Sequence, residues 1–160
     1  MTEAAREQVA KALGRIPSGC AIVTAASGRR RTGMLASWVQ QAGFEPPMLS
    51  VAIKKGRPIT ELIEASKAMV VNVLGDNPGA MFRHFGRGFD LTEDAFEGLQ
   101  NRDVNGGVEI AGHVARLSLV IRGKADAGDH DLYVGEVVEA DVGEPVGEPY
   151  VHLRKNGLSY

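Results

Sequence analysis

Three cations lie where a predicted strand gives way to a predicted helix. Lys54, Lys55 and Arg57 stand in the stretch KKGRPI, which follows the apolar run MLSVAIK and precedes a short helix. Cations beside the N–H groups of a helix start form a typical binding site for a phosphate. A solvated turn has the same composition, so the stretch alone leaves both interpretations open.

A second polar stretch, GDHDLYVGEV, places a histidine at the mouth of another predicted strand. Gly128 permits a tight turn, and Asp129, His130 and Asp131 follow it. An imidazole in this position can hydrogen-bond a ligand or handle a proton. A polar hairpin turn has the same signature, so this stretch is also ambiguous alone.

A third stretch, TGMLASWVQQAGFEPP, combines small residues with a tryptophan. Gly33, Ala36 and Ser37 would let another group come close to the backbone. Trp38 fits either a place in the core or a place beside a planar cofactor. The three stretches together could supply a surface for a flat ring and a corner for its phosphate.

Other chemistries lack their signatures. The sequence contains no G-x-G-x-x-G fingerprint, no Walker loop and no G-x-S-x-G elbow. The four histidines, His84, His113, His130 and His152, are widely separated and lack metal-ligand spacing. We therefore predict no metal site.

Composition limits the class of protein. The 160 residues are 44% hydrophobic and 24% charged, with a net charge of -2, so we predict one domain over residues 1–160 and no nucleic-acid partner. We see no signal peptide and no stretch long enough to span a membrane. The single cysteine, Cys20, fits a buried structural thiol and a reducing compartment, which predicts a cytoplasmic protein.

Hydrophobic periodicity predicts the elements that carry these residues. A helix begins after Thr2, with Ala5, Val9, Ala12 and Leu13 on one face, and ends at Gly14. Successive strands are predicted for CAIVTAA, TGMLASWVQQAGF, MLSVAIK, KAMVVNVLG, HVARLSLVIRGKADAG, HDLYVGEVVEADVG and PYVHLRKNGLSY, and further helices for PITELIEAS and for the segment containing Ala80, Met81, Phe82 and Phe85.

The pattern favours a mainly β fold. About six or seven strands occur as hairpin-like neighbours, with two or three short helices, and do not alternate regularly with helices as in a parallel sheet. We predict an antiparallel barrel with attached helices, because closure removes exposed strand edges.

The order of the motifs SGCAIVTA, TGMLASWVQQAGFEPPMLSVAIKKGRPITELI, MVVNVL and AGDHDLYVGEV resembles the flavin reductase-like domain family. The stretches FRHFGRGF and VHLRKNGLSY are most similar to the flavin reductase domain at the C-terminus of cyanobacterial flavodiiron proteins. The resemblance covers the chain from about residue 10 onward and implies an FMN-binding split β-barrel. It leaves open whether the chain is a free-standing relative or a domain excised from a larger flavodiiron protein.

The resemblance implies a set of site residues. The flavin ring would lie along Met34, Leu35, Ala36, Ser37 and Trp38, flanked by the strand containing Ser50, Val51, Ala52 and Ile53. The phosphate end would meet Lys55, Gly56 and Arg57. Gly128, Asp129 and His130 match the motif of the nicotinamide site, and His130 would orient the nicotinamide. His84 and Phe85 are candidates for the pocket wall.

The implied function is an NAD(P)H:flavin oxidoreductase that passes hydride from NADH or NADPH to bound FMN, or FAD, and then electrons to free flavin, a diiron oxidase or a monooxygenase. The alternative is a flavin-binding electron-transfer module with little direct NAD(P)H activity. The family also implies a homodimer. Many stand-alone members carry a Thr-x-Asn-Ser-type stretch where this chain has Met34 to Ser37, which leaves the choice between FMN and FAD open.

Overall fold

The computed structural model describes residues 1–144 and 147–158. The elements in chain order are α1 Glu3–Leu13, β1 Ser18–Gly19, β2 Ala21–Ser27, β3 Arg30–Ala36, β4 Val39–Gly43, β5 Met48–Lys54, α2 Ile59–Ser66, β6 Ala68–Leu74, α3 Gly79–Phe85, β7 Asn101–Val104, β8 Gly107–Ile110, β9 His113–Ala127, β10 His130–Val142 and β11 Val151–His152. The mainly β prediction is confirmed, since seven strands form one antiparallel sheet with three helices attached.

The connection between the two edge strands forces this sheet to curl. The strand order is β3-β2-β6-β9-β10-β5-β4, and the edge strands β3 and β4 are joined by Ser37 and Trp38 alone. The three residue steps of this link span at most about 11 Å, so the two edges must lie side by side. The backbone N–H of Ala52 donates to Trp38 O at 3.0 Å and holds the link against β5. The result is the predicted barrel, split along one seam.

Both faces of β2 are buried. Val23 and Ala25 contribute to the cluster inside the barrel, together with Val51. Ile22 belongs to a second cluster outside it, with Phe85. A strand covered on both faces reads as a continuous apolar run, which is why CAIVTAA lacks alternation.

Helix α2 closes the interior of the barrel. Its buried residues, Ile59, Leu62 and Ile63, follow the i, i+3, i+4 spacing of one helix face and join the inner cluster. Pro58 stands just before the helix, and Lys67 ends it in the left-handed conformation with a φ of 53°. The position predicted for this helix is confirmed.

The structure adds a hairpin, β7–β8, that the periodicity did not predict. Thr24 Oγ1 donates to Val108 O at 2.7 Å and accepts from Val108 N at 2.9 Å. Asn72 Oδ1 accepts from the N–H of Ile110 at 3.0 Å. Two buried polar side chains of the main sheet therefore fasten the short hairpin over the outer cluster.

Three sequence-based predictions need correction or refinement. The stretch TGMLASWVQQAGF forms two strands, because the chain turns from one edge of the sheet to the other at Ser37 and Trp38. Of PYVHLRKNGLSY, only Val151–His152 is a strand within the described part, and Ser159 and Tyr160 lie outside it. The predicted apolar face of α1 buries none of its residues, although the helix and its Thr2 cap are confirmed. Within the described ranges, no helix combines the length and apolarity needed to cross a bilayer.

Candidate active site

A cavity of about 720 Å³ opens at the seam of the barrel. Strand β3 contributes its last residues, β5 and β10 contribute one end each, and the α3 region and the segment after β11 complete the wall. The lining residues are Cys20, Met34, Leu35, Ala36, Ser37, Ala52, Lys54, Arg57, Phe82, Phe85, Gly86, Gly88, His130, His152, Leu153, Arg154, Lys155 and Asn156. The volume suits a cofactor-sized molecule.

The floor of the cavity is apolar and tightly supported from below. A Cβ added to Gly33 would lie 3.0 Å from Cε1 of Phe85. The group that comes close to this glycine is therefore the chain's own aromatic ring, which packs beneath β3. Phe85 is 2% exposed and borders the cavity as well.

His130 forms one wall as the first residue of β10. The tight turn before it has Gly128 at a φ of +78°, a conformation that favours glycine. His130 is 8% exposed, and its Nδ1 lies 2.8 Å from Oδ1 of Asp129. This hydrogen bond lowers the pKa of the Asp129 carboxyl. An ionised carboxylate only accepts, so Nδ1 carries the proton and Nε2 is the nitrogen left for a ligand.

Trp38 links this wall to the segment after β11. Its ring centroid lies 4.7 Å from that of His130, with the planes tilted by 51°. The guanidinium carbon of Arg154 lies 5.0 Å from the same tryptophan ring, a cation–π distance. Residues distant in sequence thus contact one another beside the cavity.

The cations of the KKGRPI stretch divide into two groups. Lys54 and Arg57 border the cavity. Lys55 does not, because its Nζ donates to Asp126, a contact that raises the pKa of Lys55. Gly56 makes the turn between them with a φ of +80°. Strand alternation explains the division, since Ala52 and Lys54 share a face of β5.

The structure brings most of the sequence-predicted site residues to one place. Those that line the cavity are Met34, Leu35, Ala36, Ser37, Ala52, Arg57, Phe85 and His130. Trp38 and Asp129 contact His130.

Other candidates lie elsewhere. Val51 is fully buried, on the face of β5 opposite to Ala52. Ser50 Oγ donates to Gln40 O at 3.3 Å. Lys55, Gly56 and Gly128 do not line the cavity. His84 Nε2 lies 2.9 Å from Ala95 O, and His84 is not among the lining residues.

Sequence reasoning missed the lining residues Cys20, Phe82, Gly86, Gly88, His152, Leu153, Arg154, Lys155 and Asn156. It named Lys54 among the three candidate cations but assigned the phosphate to Lys55 and Arg57, and strand alternation from Ala52 could have favoured Lys54. The glycines and the 152–156 segment lie in irregular chain, where no periodicity points to the cavity.

The chain resembles known proteins along most of its length. Residues 13–157 match the family described as Flavin reductase like domain. Diflavin flavoprotein A 1 of Synechocystis sp. is 34% identical over 152 residues, which are 94% of this chain and 26% of that protein. The chain therefore spans about a quarter of the length of this curated relative.

Solved structures agree on the fold. The NADH:FAD oxidoreductase of Streptomyces globisporus has a TM-score of 0.83 and 26% identity, covering 98% of this chain and 92% of that one. The same oxidoreductase in complex with NAD and FAD fragments has a TM-score of 0.81 and 27% identity, covering 94% and 90%.

The thiol at the edge of the cavity should be unreactive near neutral pH. Burial raises the pKa of Cys20 to about 11, and the side chain is 4% exposed. Near neutral pH less than about a thousandth of such a thiol is thiolate, so we expect alkylation by iodoacetamide at least about 100-fold slower than for free cysteine. The rate should rise as the pH approaches 11.

Peptide mapping by mass spectrometry assigns the modification to Cys20, the chain's one cysteine, and separates it from alkylation of lysine amines at high pH. N-acetylcysteine in the same solution is the control for reagent activity at each pH. Labelling of Cys20 as fast as the control near neutral pH would contradict the raised pKa.

Proposed function

The chain belongs to the Flavin reductase like domain family, and from this membership we propose that it takes hydride from NAD(P)H to bound flavin and passes the electrons on. The observation that carries the proposal is the seam cavity of about 720 Å³, which combines an apolar floor, four bordering cations and a buried imidazole. A flavin bound there would supply the redox chemistry. The protein's own residues bind, orient and exclude water.

The floor and the cations fit the two ends of a flavin mononucleotide, or of the same half of FAD. Met34, Leu35 and Ala36 offer an apolar strand end against which a planar ring can lie. Lys54 and Arg57 stand at the start of α2 and fit a phosphate. We propose these two cations as the phosphate contacts, with Lys55 held away by Asp126.

His130 is proposed to orient the nicotinamide. Asp129 fixes its Nδ1–H, so Nε2 can accept a hydrogen bond from a carboxamide or, when protonated, donate one. No protein nucleophile is needed, because the reaction is a transfer between two bound rings. The role of His130 is thus geometric.

Domain extent, partner and assembly are parts of the same proposal. We propose that residues 1–160 act as one flavin-binding unit. The resemblance to Diflavin flavoprotein A 1 supports an electron-accepting flavoprotein or diiron oxidase as partner; a monooxygenase or free flavin would serve the same chemistry. A homodimer is proposed from the exposed apolar side chains Ile16, Val138, Val142 and Val151. The cytoplasmic location stays a prediction.

Anaerobic stopped-flow absorbance tests the central claim. FMN-loaded protein mixed with NADH, and separately with NADPH, should lose its flavin band in a single turnover. A protein that binds flavin but keeps its colour with both donors would contradict the reductase and support the non-enzymatic electron-transfer module. A protein that retains no flavin would contradict both.

Replacing His130 should separate hydride transfer from flavin binding. His130→Ala should slow the bleaching by about 10-fold or more, because the nicotinamide loses its orienting contact, while the FMN dissociation constant changes little.

His130→Gln is the matched variant, since it keeps a hydrogen-bonding side chain that cannot be protonated. Recovery of the rate in His130→Gln would identify orientation as the role. An unchanged rate in His130→Ala would remove this residue from the site.

Flavin affinity should depend on Lys54 and Arg57 and not on the neighbouring Lys55. The double variant Lys54→Ala/Arg57→Ala should weaken FMN binding by about 1 to 3 kcal/mol, allowing for the exposure of both side chains. Riboflavin, which lacks the phosphate, should bind both proteins equally.

Lys55→Ala is the control, because it removes the same charge one residue away from a side chain already paired with Asp126. Fluorescence titration measures the FMN dissociation constant of the parent, the double variant and Lys55→Ala. A larger loss in Lys55→Ala than in the double variant would return the phosphate to Lys55, as the sequence predicts.

A further inference from the structure

A second, smaller cavity of about 310 Å³ adjoins the main one. It is lined by Lys11, Arg15, Leu153, Arg154 and Lys155. The last three of these also line the main cavity, so the segment after β11 is a shared border. Four of the five residues are cations. Lys11 belongs to α1, Arg15 follows its end, and Arg154 and Lys155 belong to the segment after β11.

Three of these four cations have no carboxylate partner among the described residues. Lys11 pairs with Glu7 at 2.7 Å. For Arg15, Arg154 and Lys155, residues 1–144 and 147–158 provide no carboxylate within ion-pair distance. Like charges gathered around a small concave surface raise the local potential and favour an anion there.

The end of α1 does not require these cations. Cations often accompany helix C-termini, where carbonyl groups lack partners. Here Ala10 O accepts from the N–H groups of Gly14 and Gly157, Ala12 O from Arg15, and Leu13 O from Ile16. The backbone has already satisfied these carbonyls, so the cations are available to another acceptor.

Arg154 supplies an independent observation. Its Nε is buried and has no hydrogen-bond partner among the described residues. An unsatisfied buried donor is costly, and a ligand oxygen would relieve that cost. The backbone around it is closely packed, since a Cβ on Gly14 would lie 2.8 Å from Arg154 O. The backbone of Arg154 is therefore packed against the end of α1.

We propose that this basic cavity, formed by Lys11, Arg15, Arg154 and Lys155, binds the adenosine monophosphate half of a dinucleotide whose ring-bearing mononucleotide half occupies the main cavity. The inference rests on the proposed function and extends it from the reacting rings to the far end of the ligand. The adenosine monophosphate half can come from NAD(P)H or from FAD. FMN and reduced nicotinamide mononucleotide lack that half and would not reach the cavity.

Arg15→Ala is the sharpest test, because Arg15 lines the small cavity and not the main one. We expect the KM for NADH or NADPH, or the dissociation constant for FAD, to rise roughly five-fold. The constants for FMN and reduced nicotinamide mononucleotide should stay unchanged. A loss of affinity restricted to FAD assigns the cavity to the flavin. A loss of affinity restricted to NAD(P)H assigns it to the hydride donor.

Arg29→Ala is the matched control, since Arg29 is an exposed arginine in the β2–β3 turn, at the end of β3 remote from the cavity. It should leave all these constants unchanged. Equal constants for every dinucleotide in Arg15→Ala and the parent would overturn the proposal. A loss of affinity in Arg15→Ala that is as large for FMN and reduced nicotinamide mononucleotide as for the dinucleotides would also overturn it. An equally large loss of dinucleotide affinity in Arg29→Ala would do the same.

Calorimetric titration with AMP separates this inference from the proposed function, because it needs no redox activity. AMP binding that weakens in Arg15→Ala supports the adenosine monophosphate site even if NADH fails to bleach the flavin. If NADH bleaches the flavin normally and Arg15→Ala leaves the dissociation constants of AMP and of the dinucleotides unchanged, the adenosine monophosphate site alone is overturned.

Discussion

The two-residue link between β3 and β4 is the constraint on which the rest of the structure depends. A seven-stranded antiparallel sheet has two edges, and here Ser37 and Trp38 are all that separates them. The sheet must curl to bring its edges together, yet the edges themselves do not exchange ladder hydrogen bonds. The seam that results is both a break in the barrel wall and the place where a cavity can form between strand ends.

Several cations away from the cavities are paired with carboxylates, whereas Lys11 is the one cation lining a cavity for which the described residues supply an ion pair. Buried Arg116 contacts Glu109 at 3.0 Å and Glu139 at 2.9 Å. Lys124 contacts Glu64 at 2.9 Å, and the hydrogen bonds of Lys67, Lys124 and the Tyr133 hydroxyl lower the pKa of Glu64 to about 2. These ions are neutralised by neighbours on the same or adjacent elements. The cations at the cavities are the contrasting set, and burial of an anion between them would complete a balance that the protein provides elsewhere.

The sequence predicted the regular elements well and the cavity wall only in part. Strand β5 and helix α2 were predictable because each has one dominant period, and because Pro47 stands before β5 and Pro58 before α2. The break at Ser37 was not, because nothing local distinguishes a long strand from two strands on opposite sheet edges. The β7–β8 hairpin is held by Thr24 and Asn72, more than thirty residues away, so its own four-residue strands carry little signal.

The site residues, too, were predictable where the signal is local and unpredictable where distant contacts decide. Arg57 and His130 were found because a turn, a glycine and a polar residue at a strand end are local signals. Lys55 and Lys54 were not distinguished, since only the pairing of Lys55 with Asp126 on another strand decides which of them borders the cavity. The 152–156 segment gave no signal because it reaches the cavity by tertiary packing against α1.

Trp38 then has a consequence for how the two cavities act together. Its ring contacts His130 at 4.7 Å and Arg154 at 5.0 Å, so one side chain at the seam touches a wall of the main cavity and the shared border of the basic one. A ligand that draws Arg154 toward its phosphate therefore acts on the same ring that supports His130. Because protein interiors are closely packed and transmit strain, we propose Trp38 as the contact through which the far end of a bound dinucleotide is linked to the imidazole that would orient its reacting end.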